Sequence, residues 1–249
     1  MKEELMIPEW LRWVALLSLL AGILSSIWIA FDEFRSPQKM WIMNLVWPVC
    51  ALFGYSFVLF LYLHSGRPSS KGTVERPSGG ARNSGSHKPV LSPTAIAKAA
   101  LHCGAGCTVG DVIAETLALA FPTVLLWLGW KTLFGERTIS VWMLDYIFAF
   151  VLGIAFQYFT IKPMRQLSAK QGLIQALKAD ALSLTAWQVG MYGLMGVGQF
   201  LIFKPVFGTK LEANTPEFWF LMQLAMLAGF ATGYPVNWWL LRKGIKELM

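Results

Sequence analysis

The chain has 249 residues, 55% of them hydrophobic and only 14% charged, with 12 Trp and a formal net charge of +7. A water-soluble domain carries about 25% charged residues, so an ordinary soluble fold is excluded. The excess of base does not point to nucleic acid, because the Lys and Arg residues are scattered between long apolar blocks and form no single patch.

Six apolar blocks follow one another, at about 10–31, 41–63, 110–134, 141–161, 182–204 and 217–240. About 20 apolar residues at ~1.5 Å rise cross a ~30 Å hydrocarbon core, so each block predicts a membrane-spanning helix. The expected fold is an all-α, polytopic transmembrane bundle of about six spans in contact with the lipid bilayer. The first block is too long for a cleavable leader and reads as a retained span. Even spans with a cytoplasmic N-terminus place fifteen Lys/Arg residues inside and six outside. That bias predicts a multi-pass protein of the inner membrane with both termini in the cytoplasm.

Residues 1–64 form the first unit, a two-helix hairpin. It is followed by "SGRPSSKGTVERPSGGARNSGSHKPVLSP", in which Gly, Ser and Pro fill 16 of 29 positions and five Lys/Arg face one Glu. Such a segment buries too little apolar surface to order itself, so 65–92 is expected to be a flexible basic cytoplasmic linker. A four-span domain then occupies 93–249. Ser92 and Pro93 have the N-cap and N1 chemistry of a helix start. Gly104 is placed to end that helix, and Thr108 with Asp111 has the capping-box spacing of a new start. The expectation is a broken helix at "HCGAGC".

The stretch "LHCGAGCTVGDVIAE" gathers His102, Cys103, Cys107, Asp111 and Glu115 within 15 positions. Three cysteines cannot build a disulfide framework, and the C-x₃-C pair beside a His is a soft donor set. With three local ligands it suits Cu(I), or otherwise an open Zn site, better than a closed structural one. Tight packing of two small thiols against glycines is the plain alternative. Asp111 alone would serve as a helix cap. Glu115, one turn deeper by this topology and roughly 10 Å inside the span, is a costly carboxylate to leave in lipid. Met191 and Met195, one turn apart in "QVGMYGLMGVGQF", would offer thioethers to the same soft ion, although packing explains them as well. The glycines around them suit close helix contacts, within this chain, in a homo-oligomer or with a membrane partner.

Further along, "KPMRQLSAKQGLIQALKAD" (162–180) has the composition of an amphipathic helix on the cytoplasmic surface. No hydrolase, nucleotide or zincin signature is present, which argues against an enzyme. The expected function is therefore handling or transport of a soft metal ion. A membrane thiol oxidoreductase and a non-catalytic assembly subunit are the alternatives.

"HCGAGCTVGD", "MYGLM" and the ending "PVNWWLLRKGIKELM" resemble a bacterial integral-membrane family catalogued as domain of unknown function 4396. The resemblance covers about residues 93–249. It implies a membrane architecture and carries no assigned activity.

Overall fold

In a computed structural model of the chain, residues 7–67 and 91–246 are described, without the side chains of Pro163, Met164 and Arg165. The predicted flexible linker lies almost wholly outside the described residues. The rest is helical: α1 (Glu9–Arg35), α2 (Met43–Leu61), α3 (Pro93–Ala120), α4 (Val124–Trp127), α5 (Arg137–Arg165), α6 (Ala169–Gly196), α7 (Lys204–Phe207) and α8 (Pro216–Arg242). Wide π-type turns extend α2 over Tyr62–Gly66 and α6 over Val197–Phe203. Six of these helices, of 24 to 39 residues with their extensions, are long and apolar enough to cross a membrane. Large apolar side chains such as Leu17, Leu24 and Ile27 of α1 point outward and uncovered. In water this would be a liability; in lipid it is the solvated face.

The helix starts follow the local chemistry. Ser92 accepts a hydrogen bond from the Ala95 N–H with Pro93 behind it, Ser168 and Gln171 form a reciprocal capping box, and Thr215 caps α8 at Phe218. The turn between α5 and α6 is tight, with Gln166 in the left-handed region. Residues 162–180 are therefore the end of one long helix, a turn and the start of the next. The surface helix expected there is replaced by two spans meeting head to tail.

The expectations for α3 are also corrected. α3 runs unbroken from Pro93 to Ala120, so Gly104 does not end a helix, and the metal site at a broken helix loses its break. Thr108 makes no capping box; its hydroxyl donates to the Gly104 carbonyl at 2.7 Å inside the helix. The third span is accordingly 93–120, not 110–134. The physical reason is packing. A Cβ on Gly106 would lie 2.6 Å from the Gly153 Cα of α5, and one on Gly104 would enter the Trp187 ring of α6. The glycines let neighbouring backbones and an indole approach, which in membranes is their commonest use.

α2 takes an unexpected path. At Tyr55 the backbone leaves helical values (φ 4°, ψ −90°), and the chain doubles back. Trp47 and Tyr62, 15 residues apart, stack edge to face at 5.6 Å. Gln38 Nε2 reaches the Gly66 carbonyl at 2.9 Å, and Asp32 holds both Tyr62 and Arg67 at 2.8 and 2.7 Å. Both ends of α2 therefore lie beside the C-terminal end of α1, and each limb is about 18 Å long at 1.5 Å per residue. Its tip region sits against the middle of α1 and α8, where Gln223 Nε2 donates to the Leu52 carbonyl at 2.6 Å. At the other end of the bundle, Pro8, Trp10 and Leu11 line a groove with Phe203, Phe207 and Glu217. α1 thus runs parallel to α8, and its start lies at the opposite end from Lys246.

Candidate functional site

α3 is the spine of the polar interior. Ala99, Cys103, Cys107, Asp111 and Glu115 recur every four residues, and all five are buried. Steps of four on a 3.6-residue helix rise about 6 Å and rotate about 40°. The stripe therefore precesses: Cys103 faces α6 and α8, whereas Glu115 sits about 18 Å further along, toward α5. The thiols lie in the middle of α3, and the acids lie toward its far end. Glu115, expected roughly 10 Å inside the span, instead lies near the far end of α3, five residues before Ala120.

The first cluster surrounds Cys103. Its Sγ lies 2.8 Å from Asp180 Oδ1 and 3.0 Å from Ser183 Oγ, both on α6. Asn237 of α8 donates to Ser183 Oγ at 2.6 Å. Lys246 enters from beyond the end of α8. Its ammonium, with three N–H donors, lies within hydrogen-bond distance of four acceptors: Asp180 Oδ1 at 2.5 Å, Asn237 Oδ1 at 2.8 Å, Cys103 Sγ at 3.0 Å and the Ala99 carbonyl at 3.2 Å. The side chains of Lys246 and Asp180 are fully shielded from solvent. Burial pushes the Lys246 ammonium toward losing its proton, but the Asp180 carboxylate and the Cys103 thiol outweigh it and hold Lys246 above the usual lysine range.

The second cluster lies further along α3. Gln188 Nε2 of α6 donates to Asp111 Oδ1 at 3.1 Å, while Asp111 Oδ2 and Gln188 Oε1 have no partner among the described residues. Asp145 of α5 is fully buried, and neither of its carboxyl oxygens has a hydrogen-bond partner among the described residues. Asp111, Glu115 and Asp145 are close enough for their charges to interact, and the Arg137 charge acts on Glu115. Arg137 itself donates to the Ala118 carbonyl at 3.0 Å.

On the face of α3 toward α5, the His102 ring lies edge-on to Phe156, 6.3 Å between centroids, and neither nitrogen has a side-chain partner. Gln157, next in sequence to Phe156, is equally buried and unpartnered. Cys107 is buried as a free thiol, and Cys50 donates to the Leu101 carbonyl at 3.1 Å. Met191 and Met195 are packed in the core; the methionine sulfur that meets a polar group is Met226, 3.8 Å from Thr108 Oγ1. Among the described residues no three His, Cys, Asp or Glu side chains converge as a metal-ligand set.

Sequence reasoning missed Asp180, Ser183 and Lys246 as partners of Cys103, and Asp145, Gln188 and Asn237 as members of the two clusters. Asp180 carried a usable signal, since it is an acid followed directly by an apolar span. Lys246 carried none, because a basic residue after a last span is the ordinary anchoring pattern.

Residues 94–246 match the family described as Domain of unknown function (DUF4396). The chain belongs to that family. The DUF4396 segment begins one residue into α3 and ends on Lys246, so it contains every member of both clusters and leaves out α1 and α2. No curated protein and no solved structure matches the chain.

Proposed function

We propose that this DUF4396 protein is an integral inner-membrane protein that moves protons along the polar interior of its α3–α5–α6–α8 bundle. The supporting observation is Asp145, a carboxyl group inside a membrane-length helix with neither oxygen hydrogen-bonded, beside Asp111 and Glu115. A charge held in lipid costs at least about 2.5–3.5 kcal/mol, so intramembrane acids that face a bundle interior serve ion and proton pathways. Three neighbouring acids share protons readily, because ionising one discourages the next. His102 and Gln157 would continue the column toward the Lys246 end.

The positive-inside tendency favours one sidedness for this reading, with the Lys246 end of the bundle cytoplasmic. The doubled-back α2 then puts Arg35, Lys39 and Arg67 on the cytoplasmic side and Arg12 on the other, so that α1 would start outside.

Purified protein in liposomes carrying an internal pH-sensitive dye tests the reading. An imposed potential should drive proton entry, and Asp145→Asn should abolish most of it. Entry no faster than in empty liposomes would end the proposal.

A second reading keeps the soft metal ion. Its support is the imidazole of His102, to which no side chain hydrogen-bonds among the described residues; His102 faces α5 while Cys103 faces α6 and α8, so the ring and the thiols would have to come together to hold an ion. It requires Lys246 to leave Cys103, because a cation already sits on that sulfur. Metal analysis of the wild type against Cys103→Ser/Cys107→Ser decides it. Copper bound stoichiometrically by the wild type alone would support this reading, and equal trace amounts in both would dismiss it.

A further inference from the structure

The Lys246 ammonium is held by a cage to which its own segment contributes nothing. The four acceptors come from α3 (Ala99 carbonyl, Cys103 Sγ), α6 (Asp180 Oδ1) and α8 (Asn237 Oδ1), at 2.5 to 3.2 Å. Stability alone is a poor reason for such a site, since a buried ion pair is often no better than well-packed apolar groups in its place. The segment that delivers the lysine is slight. It follows the end of α8 at Arg242, turns at Gly244 with φ 69° into open space, and is fastened by Ile245 and Lys246 N–H groups to the Leu240 carbonyl at 3.0 and 3.4 Å. The second oxygen of Asp180 is buried without a partner among the described residues, so the carboxylate has coordinating capacity that Lys246 does not use.

We propose that Asp180, Asn237, the Ala99 carbonyl and Cys103 form a binding site for a free monovalent cation of ammonium or potassium-ion size, and that Lys246 is its tethered occupant. One carboxylate balances one positive charge. Three of the four donors are oxygen, which selects a hard ion over a soft one. The acceptor distances, mostly beyond the ~2.0–2.6 Å of magnesium and calcium sites, exclude a tight divalent fit. When the segment 243–246 lifts away, the free cation takes the place of the ammonium. The site uses other residues than Asp111, Asp145 and Glu115, so it stands whether or not those acids carry protons.

The test uses the full chain in nanodiscs, with thermal unfolding followed in ammonium, potassium and choline chloride at equal ionic strength. Lys246→Met should be destabilised in choline and recover saturably, by several degrees, in ammonium or potassium. Neither the wild type nor Asp180→Asn/Lys246→Met should show that difference. Equal midpoints for Lys246→Met in all three salts would overturn the proposal. So would a Lys246→Met protein that folds in none of them while the double variant folds, or one rescued by Cu(I) alone. The wild type supplies an independent arm: acylation of Lys246, read by peptide mass, should rise when potassium replaces choline, and unchanged acylation would count against the site.

Discussion

Gln38 Nε2 donates to the Gly66 carbonyl at 2.9 Å, so the residue that leaves α1 touches the residue that ends α2. A helix pair crossing and recrossing the bilayer would hold these two positions about 30 Å apart. Instead α2 dips in and returns, with Cys50, Ala51 and Phe53 buried in the protein. Irregular backbone at membrane depth needs that cover, because the carbonyls freed near Tyr55 find no water in lipid.

Single-cysteine labelling in intact vesicles checks this path. The three native thiols are buried, so a membrane-impermeant maleimide should report introduced cysteines. Lys39→Cys and Arg67→Cys should label from one face and Trp10→Cys from the other. Labelling of Trp10→Cys and Arg67→Cys from the same face would contradict the doubled-back α2.

The α3–α5 contact makes a stability prediction. Gly106→Val places a branched side chain where even a Cβ would lie 2.6 Å from the Gly153 Cα. Overpacking of this kind costs about 1–3 kcal/mol, and a backbone neighbour cannot yield by changing rotamer. Thermal unfolding in detergent should show a clear loss for Gly106→Val and little change for Gly193→Ala, which meets nothing within 4 Å. Equal midpoints for the two would argue against close α3–α5 packing.

The Lys246–Asp180 pair predicts an alkaline limit. The folded state holds Lys246 above its ordinary range, so it binds the proton more tightly than the unfolded chain does. The stabilisation is complete below the unfolded lysine value, about 10.4, and is lost as pH rises through the higher folded one. Unfolding midpoints should hold steady through neutral pH and fall above about pH 10, and Lys246→Met should lack the part of that fall due to this lysine. The same alkaline fall in both proteins would assign it elsewhere.

Much of the fold was legible because lipid imposes a coarse code. Apolar length gave the helices, and Ser92–Pro93 gave the start of α3. The fold-back of α2 was not legible. Its two limbs together have the length and hydropathy of one span, and the charge balance is fifteen to six whichever way the N-terminus faces. The site was half legible. His102, Cys103, Cys107, Asp111 and Glu115 are all buried on α3. Their grouping in sequence suggested one centre, but the precession of a four-residue stripe spreads them over about 18 Å and different neighbours. Gly104 and Gly106 misled because a glycine that breaks a helix in water serves inside a membrane as a contact surface. Lys246 was hidden by its resemblance to an ordinary anchoring charge.

The central claim is that Asp145, without a hydrogen-bond partner among the described residues and within charge range of Asp111 and Glu115, passes protons across the membrane. The most direct measurement is the rate of internal acidification of liposomes carrying the wild type and Asp145→Asn, at equal protein content and under a potassium-diffusion potential. The account predicts acidification well above the empty-liposome rate for the wild type and a loss of at least about tenfold in the variant, on the order of 1.4 kcal/mol in barrier. A wild-type rate equal to that of empty liposomes, or one unchanged by Asp145→Asn, would contradict it.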